Sequence, residues 1–457
     1  DRFGASYTRL RAHKSWESLW RVSEHPDVVV QFDEFPAKFV FWRGTSYIPH
    51  WVSENNVWIN NQFNEARYEY LNDNLCAEPM SDSDSHHGLA EIVHSSDARA
   101  VIHWRYALET AGGHMVFPDS DGWTDWSDEY YYIYPDGSAT RKIFLWTTYP
   151  DEHHEWHEFI VLTNPGRTVE QVLEQDALYA ADEGGTSRSF IWEGSANPNP
   201  DIESFVTGHG ANIFRINLKD SQWDSFAVFP DSGLSVDPVS SWQTAENYPY
   251  YNHWPMAQVP SDGRWAYTYE RAAHTSLTHI MWAEEQKGSN FIEKVHLHGV
   301  TSGSVTDLAG LEKSWENPPA LSLESEGFAG GSYLKGQKAY QIECTLPDID
   351  ELEMHLGGSE ANPVLNPCFV ISGWANSNKD ISASVDGRLL AEGGKLRSGI
   401  EINPEGGTDL VIWGECESGS NVDISISRRH PADLNGDGII DFIDFAVFTD
   451  GFPALDL

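Results

Sequence analysis

Ala98-Arg99-Ala100-Val101-Ile102-His103-Trp104-Arg105-Tyr106-Ala107-Leu108 alternates as a β-strand does. Side chains along an extended chain point to opposite sides in turn. Ala100, Ile102, Trp104, Tyr106 and Leu108 therefore share one face, and Val101, His103, Arg105 and Ala107 share the other. A sheet face carrying His and Arg in place of Val and Ile is wet, and in a β protein a wet concave face is a place for a substrate groove. Working outward, residues 129–134 and 138–146 flank Pro135-Asp136-Gly137 and read as a hairpin. Its second strand offers Arg141 or Lys142 beside His103 and Arg105, depending on register. Residues 155–162 alternate again, and further strands are expected at 213–218, 225–229, 264–270 and 276–283. The best helical pattern is 168–181, with Val169, Val172, Leu173 and Leu178 as its stripe.

Strands at this density predict an all-β chain with stacked antiparallel sheets, either a large sandwich or a propeller, and the lack of a blade-length repeat favours the sandwich. The 457 residues exceed one ordinary domain. The expected division is a main β-sandwich over 1–300 and a Gly/Ser/Pro-rich connector over 301–338. A small β-sandwich over 339–430 and a calcium-loop and helix tail over 431–457 follow.

Trp, Tyr and Phe make up 13% of the chain, with 19 Trp and 18 Tyr. Such rings serve equally a tryptophan-rich core and a saccharide cleft, where the apolar face of a sugar stacks on an aromatic plane. The formal charge of −41 argues against nucleic-acid binding. The charge is unevenly placed: residues 301–457 hold nine Lys/Arg against 26 Asp/Glu, whereas residues 1–60 hold seven of each. At about 1 M salt the screening length shrinks to about 3 Å, so local arginines and histidines can still hold an anionic sugar. No run of eighteen apolar residues suggests a membrane span, and Asp1-Arg2-Phe3 reads as a mature or trimmed start. The four cysteines are too scattered for a disulfide scaffold, with a Cys344–Cys368 pair left open.

Asp433-Leu434-Asn435-Gly436-Asp437-Gly438-Ile439-Ile440-Asp441-Phe442-Ile443-Asp444 has calcium-ligand spacing. Asp433, Asn435, Asp437, Asp441 and Asp444 offer side-chain oxygens, Ile439 a carbonyl, and Gly438 the sharp turn. With the short amphipathic run after it, the loop resembles one half of a type I dockerin. Dockerins carry two such repeats, so the single one reads as truncated. The resemblance implies calcium, a secreted and modular protein that handles polysaccharide, and a cohesin-like partner for an intact dockerin.

Three clusters carry candidate chemistry. In Glu246-Asn247-Tyr248-Pro249-Tyr250-Tyr251-Asn252-His253-Trp254-Pro255-Met256-Ala257-Gln258, followed by Ser261-Asp262-Gly263-Arg264, two prolines and crowded aromatics predict a structured loop. His253 lies there between an amide and an indole, suited to proton transfer near neutral pH or to capping a buried loop. In Phe41-Trp42-Arg43-Gly44-Thr45-Ser46-Tyr47-Ile48-Pro49-His50-Trp51, continuing to Glu65, Arg43 can clamp a carboxylate or form a structural salt bridge, and Tyr47 can donate a proton. The third cluster is His103 with Arg105. Trp42, His50, Trp51, Glu65, Trp254 and Gln258 complete the candidate substrate contacts. His153-His154-Glu155-Trp156-His157-Glu158 invites a metal, but strict alternation leaves no face with three good ligands, so a catalytic metal there is the minor reading and needs a distant His.

The runs Phe41-Trp42-Arg43-Gly44-Thr45, Ile102-His103-Trp104-Arg105-Tyr106, Ile133-Tyr134-Pro135-Asp136-Gly137, Asn252-His253-Trp254-Pro255 and Ser261-Asp262-Gly263-Arg264 resemble a family of secreted bacterial proteins linked with polysaccharide breakdown, over about residues 1–430. The strand-rich layout is similar to the β-supersandwich of galactose-mutarotase-like domains, which also occurs in polysaccharide lyases. The His/Tyr/Arg set is similar to that of ulvan and related uronate lyases. The implied activity is an extracellular lyase that cleaves a uronic-acid-containing glycan, ulvan-like and sulfated or unsulfated, by β-elimination. Arg43, Arg105 or Arg264 would hold the carboxylate, His253 or His103 would take the proton, and Tyr47 or Tyr251 would donate to the leaving oxygen, with Asn252 beside them. Mutarotase-like chemistry offers a rival, His253 with Glu155 or Glu158. The alternatives are a glycoside hydrolase with two carboxylates and a non-catalytic glycan-binding protein.

Overall fold

The computed structural model describes residues 2–10, 23–60, 63–67, 76–82, 85–110, 113–163, 169–191, 199–237, 273–346, 349–374, 381–391, 393–428 and 442–443. Among these the chain is mostly β, arranged in antiparallel sheets. No described helix is long and apolar enough to cross a membrane.

Two compact units divide the chain: Asp1–Ser95 with Ala100–Glu312, and Ser96–Arg99 with Lys313–Leu457. The larger unit holds an eight-stranded sheet and a ten-stranded sheet. In the eight-stranded sheet, Gly4–Thr8, Asp27–Gln31, Lys38–Phe41, Pro49–Val52 and Trp58–Asn60 follow in chain order before Glu158–Thr163 and Ala273–Met281 join them. The ten-stranded sheet places Phe291–Thr301, Ser138–Trp146, Trp126–Ile133, Ala100–Ala107 and Leu89–Ser95 side by side. One continuous core draws on both sheets, with Val30, Phe39 and Trp51 from the first and Trp104, Tyr131 and Ile143 from the second, all buried. Each such side chain contributes about 1.5–3 kcal/mol by leaving water.

The hairpin read at Pro135-Asp136-Gly137 is present and its turn sets the register. Gly137 adopts φ of 80° and its N–H donates to the Tyr134 carbonyl at 3.1 Å. A Cβ there would meet the Phe35 ring at 2.7 Å, so both backbone and space require glycine. The turn aligns Ile133 with Ala139 and Trp126 with Trp146. The Ala100–Ala107 strand pairs on the other side, with Asp128 opposite Arg105 and Tyr130 opposite His103.

One expectation is corrected and one open alternative is closed. Residues 173–181 form a strand, Leu173–Ala181, preceded by the 3-10 turn Val169–Gln171. Pairing with Ile213–Leu218 and Ser187–Ile191 buries Leu173, Ala177, Leu178, Ala180 and Ala181, so tertiary pairing overrides a helix-compatible pattern. Cys344 and Cys368 are free thiols. Their strands run parallel with Tyr340 beside Phe369 and Glu343 beside Ser372, which puts the two cysteines at opposite ends of the pair.

The smaller unit packs two five-stranded sheets around Tyr340, Phe369, Ile371, Trp374 and Ile412. Within residues 301–338, Ala320–Leu323 and Phe328–Leu334 are strands of these two sheets.

Candidate functional site

The two faces of the hairpin sheet carry different polar groups. On the outer face Asp128 gathers three neighbours. His103 Nε2 lies 2.8 Å from its Oδ1, Arg105 Nη1 donates to Oδ2 at 2.9 Å, and the Trp146 indole N–H donates to Oδ2 at 2.9 Å. Burial pushes the Asp128 carboxyl up, but the His103 hydrogen bond and the Arg105 charge outweigh it and hold the group below the usual carboxylate range. The His103 ring stacks on Tyr130 at 4.6 Å and 17°, and the Arg105 guanidinium sits over the Trp126 ring at 4.8 Å. Burial, and then the Asp128 charge, raises the Tyr130 phenol, so it keeps its proton.

Arg105, Asp128, Trp126 and Trp146 line a cavity of about 360 Å³, together with Trp123, Phe117, Asp119, Thr124, Thr147, Thr148 and Asn290. Trp123 is 65% exposed and Trp146 43% exposed. Open indole faces beside a cation and a carboxylate are what a saccharide needs, ring faces for its C–H surface and polar groups for its hydroxyls. The register also decides between the two hairpin cations: Lys142 lies on the outer face, paired with Glu293 at 3.0 Å, and Arg141 points inward.

Inside, Arg141 is fully buried and satisfied. Its Nε donates to Glu129 Oε2 at 2.7 Å, Nη1 to the Trp156 carbonyl at 2.7 Å and Nη2 to Asn64 Oδ1 at 3.1 Å. The Tyr106 and Tyr131 hydroxyls also donate to Glu129. Nearby, burial drives His157, His296 and His298 well below the ordinary imidazole range, so all three stay neutral.

A second cluster forms where the alternation of 153–158 breaks. His154–Glu155 and Glu158–Thr163 are separate strands in separate sheets, interrupted at Trp156-His157. Glu155 pairs across to Glu65, and Glu158 pairs across to His279. His279 Nε2 lies 3.1 Å from Glu155 Oε2 and 3.5 Å from Glu158 Oε1, with Nδ1 3.8 Å from Asp237 Oδ2. One ligand atom each from Glu65, Glu158 and His279 lies within 4.8 Å of the others, and all three residues are buried. Although burial lowers it, the Glu158 charge and hydrogen bond raise the His279 imidazole to about 10. Burial, and then the charges of Glu65, Glu158 and Glu155, raise the Glu78 carboxyl well above its usual range. The local break thus brings Glu155 and Glu158, expected on opposite faces, to one imidazole.

The dipeptide His154-Glu155 links the two places. His154 Nε2 meets Asp125 Oδ2 at 2.8 Å, and the His154 ring packs on Phe117 of the outer cavity at 5.7 Å.

Of the candidate residues read from sequence, the structure brings together His103 and Arg105 on the outer face. It buries Trp42, Arg43, Tyr47, His50 and Trp51. Arg43 forms the salt bridge weighed as its alternative, through Nη1 to Asp27, and its backbone N–H donates to Asp27 Oδ1 at 2.7 Å. Burial lowers His50 to about 3, and the Trp51 indole donates to His298 Nδ1 at 2.9 Å. Glu65 belongs to the buried cluster. Tyr251, Asn252, His253, Trp254, Gln258 and Arg264, and the loop residues Asp433, Asn435, Asp437, Ile439, Asp441 and Asp444, lie outside the described residues. Asp128, Tyr130, Trp126 and His279 were not singled out from sequence. The pairing of Ala100–Ala107 with Trp126–Ile133 sets Asp128 opposite Arg105, whereas nothing local connects His279 to Glu158.

No protein-family model and no curated protein matches the chain. Among solved structures it is similar to a TPR-domain containing protein from Parabacteroides distasonis, with 10% identity and a TM-score of 0.31, over 66% of this chain and 55% of that one. It is also similar to the galactose 1-epimerase of Lactobacillus acidophilus, with 8% identity and a TM-score of 0.28, over 65% of this chain and 98% of that one. Likenesses this distant carry no information on activity.

Proposed function

We propose that this chain is an extracellular polysaccharide lyase that cleaves a uronic-acid-containing glycan by β-elimination on the outer face of the hairpin sheet. The observation that carries the reading is the joint placement of His103, Arg105 and Tyr130 around Asp128, beside a cavity walled by Trp123, Trp126 and Trp146. Arg105 makes its bonds to Asp128 through Nη1, and its side chain is 45% exposed, which leaves the cation to neutralise a uronate carboxylate. Asp128 orients the His103 ring through Nε2, which leaves Nδ1 to take the proton at C5. Tyr130, kept protonated, donates to the leaving oxygen as the C4–O bond breaks and the C4–C5 double bond forms.

The test incubates the full chain with uronate glycans, sulfated and unsulfated, and follows the absorbance of the unsaturated product near about 235 nm. The reading expects product from the wild type and none from His103→Ala. New reducing ends without that absorbance mean hydrolysis, and binding without either means a glycan-binding protein.

A further inference from the structure

We propose that Glu65, Glu158 and His279 bind a single divalent metal ion of the zinc or manganese type inside the larger unit. This goes beyond the lyase reading and does not rest on it. Three observations support the site independently of charge alone.

The first is the donor set. Two carboxylates and an imidazole come from three strands, Glu65–Arg67, Glu158–Thr163 and Ala273–Met281, with their ligand atoms within 4.8 Å. Donors around a tetrahedral ion with bonds of about 2.1 Å sit about 3.4 Å apart, and His279 Nε2 already lies 3.5 Å from Glu158 Oε1. Imidazole in the set selects a first-row ion over calcium or magnesium, which take oxygen alone.

The second is the support behind the imidazole. With Nε2 turned to the carboxylates, Nδ1 lies 3.8 Å from Asp237 Oδ2. That is an ion-pair distance and not a hydrogen bond, so the Asp237 charge lies behind the ring on the side where a ligating histidine characteristically has its carboxylate partner.

The third is the cross-strand pairing. Glu155 lies directly opposite Glu65, both buried, and Glu155 also reaches His279 Nε2 at 3.1 Å. Like charges facing each other across a ladder are destabilising, and an ion between them reverses the sign of that contact. Glu155 is therefore placed to accept a hydrogen bond from a ligand water.

The test strips the purified full chain with a chelator, fills oxygen-only sites such as the 433–444 loop with excess calcium, and titrates Zn²⁺. Bound metal is counted by elemental analysis after desalting, and the thermal midpoint is read with and without Zn²⁺. The wild type should retain one equivalent more than Glu158→Gln and than His279→Gln, and its midpoint alone should rise. If either variant fails to fold, Glu65→Asp keeps the charge but withdraws the ligand, and it should weaken Zn²⁺ at least tenfold while the fold survives. Equal zinc content in wild type and folded variants, or a wild type that retains none, overturns the proposal and leaves an imidazolium–carboxylate network.

Discussion

Arg105 with Asp128 and Arg141 with Glu129 are the same chemistry on two sides of one sheet. Both pair an arginine with a carboxylate on adjoining strands, with Tyr106 and Tyr131 beside the inner pair and Tyr130 beside the outer. The inner arginine commits Nε, Nη1 and Nη2 to protein groups and is fully buried. The outer one bonds through Nη1 and has a side chain 45% exposed. The inner set holds the fold, and the outer set has capacity left for a ligand. One step along a strand separates them, because successive side chains take opposite faces.

The largest effect should come from the inner pair. Glu129→Ala leaves a buried guanidinium uncompensated and should cost about 3–5 kcal/mol in denaturant unfolding. On the outer face Arg105→Ala should cost about 1 kcal/mol or less, since a side chain 45% exposed is already largely solvated and its pair contributes little. Equal losses would erase the distinction between the faces.

Catalysis should show the reverse order. His103→Ala should remove detectable turnover, a loss of at least about a hundredfold as for a lost general base, with unfolding nearly unchanged. Tyr130→Phe should lower turnover in the same assay while keeping the ring that stacks on His103.

Acid should expose the inner face next. His157, His296 and His298 bind protons far less readily folded than unfolded. Their contribution to stability is whole above about pH 6.5 and is lost as pH falls below it, by about 1.4 kcal/mol per pH unit for each. Denaturant midpoints should therefore drop steadily below about pH 6.5, and His298→Gln should flatten the slope. On the outer face the depressed Asp128 carboxyl acts lower, its contribution present above about pH 3.9 and lost as pH falls through its folded value.

The smallest effect should come from the groove walls. Trp126→Ala or Trp146→Ala should weaken glycan binding about tenfold, by calorimetry, as expected for a lost stacking surface.

How much of this was legible follows the same divide between local and distant. The strand at 100–107, its alternating faces and the hairpin after it were readable, because period-two alternation and a Pro-Asp-Gly turn are local signals. Asp128 emerged only with the pairing of 100–107 onto 126–133, since the hairpin strand read from sequence begins at residue 129. The buried cluster was not: Glu65, Glu158 and His279 meet only through the sheets, and alternation failed at 153–158 because the strand breaks at Trp156-His157. Arg43, Tyr47 and His50 looked like groove residues because they are polar and surrounded by aromatics. Among the described residues those aromatics are core, Trp42 and Trp51 included. The 168–181 segment misled for a related reason, since its apolar spacing fits a helix stripe as well as a strand buried against two neighbours.

The account turns on the outer face, and the most direct measurement is product absorbance near about 235 nm from uronate glycan incubated in parallel with wild type, His103→Ala and Arg43→Ala. The account predicts unsaturated product from the wild type, none from His103→Ala, and, per folded molecule, wild-type turnover from Arg43→Ala, whose guanidinium serves Asp27 in the core. Full activity in His103→Ala, or no unsaturated product from any uronate glycan, would contradict it.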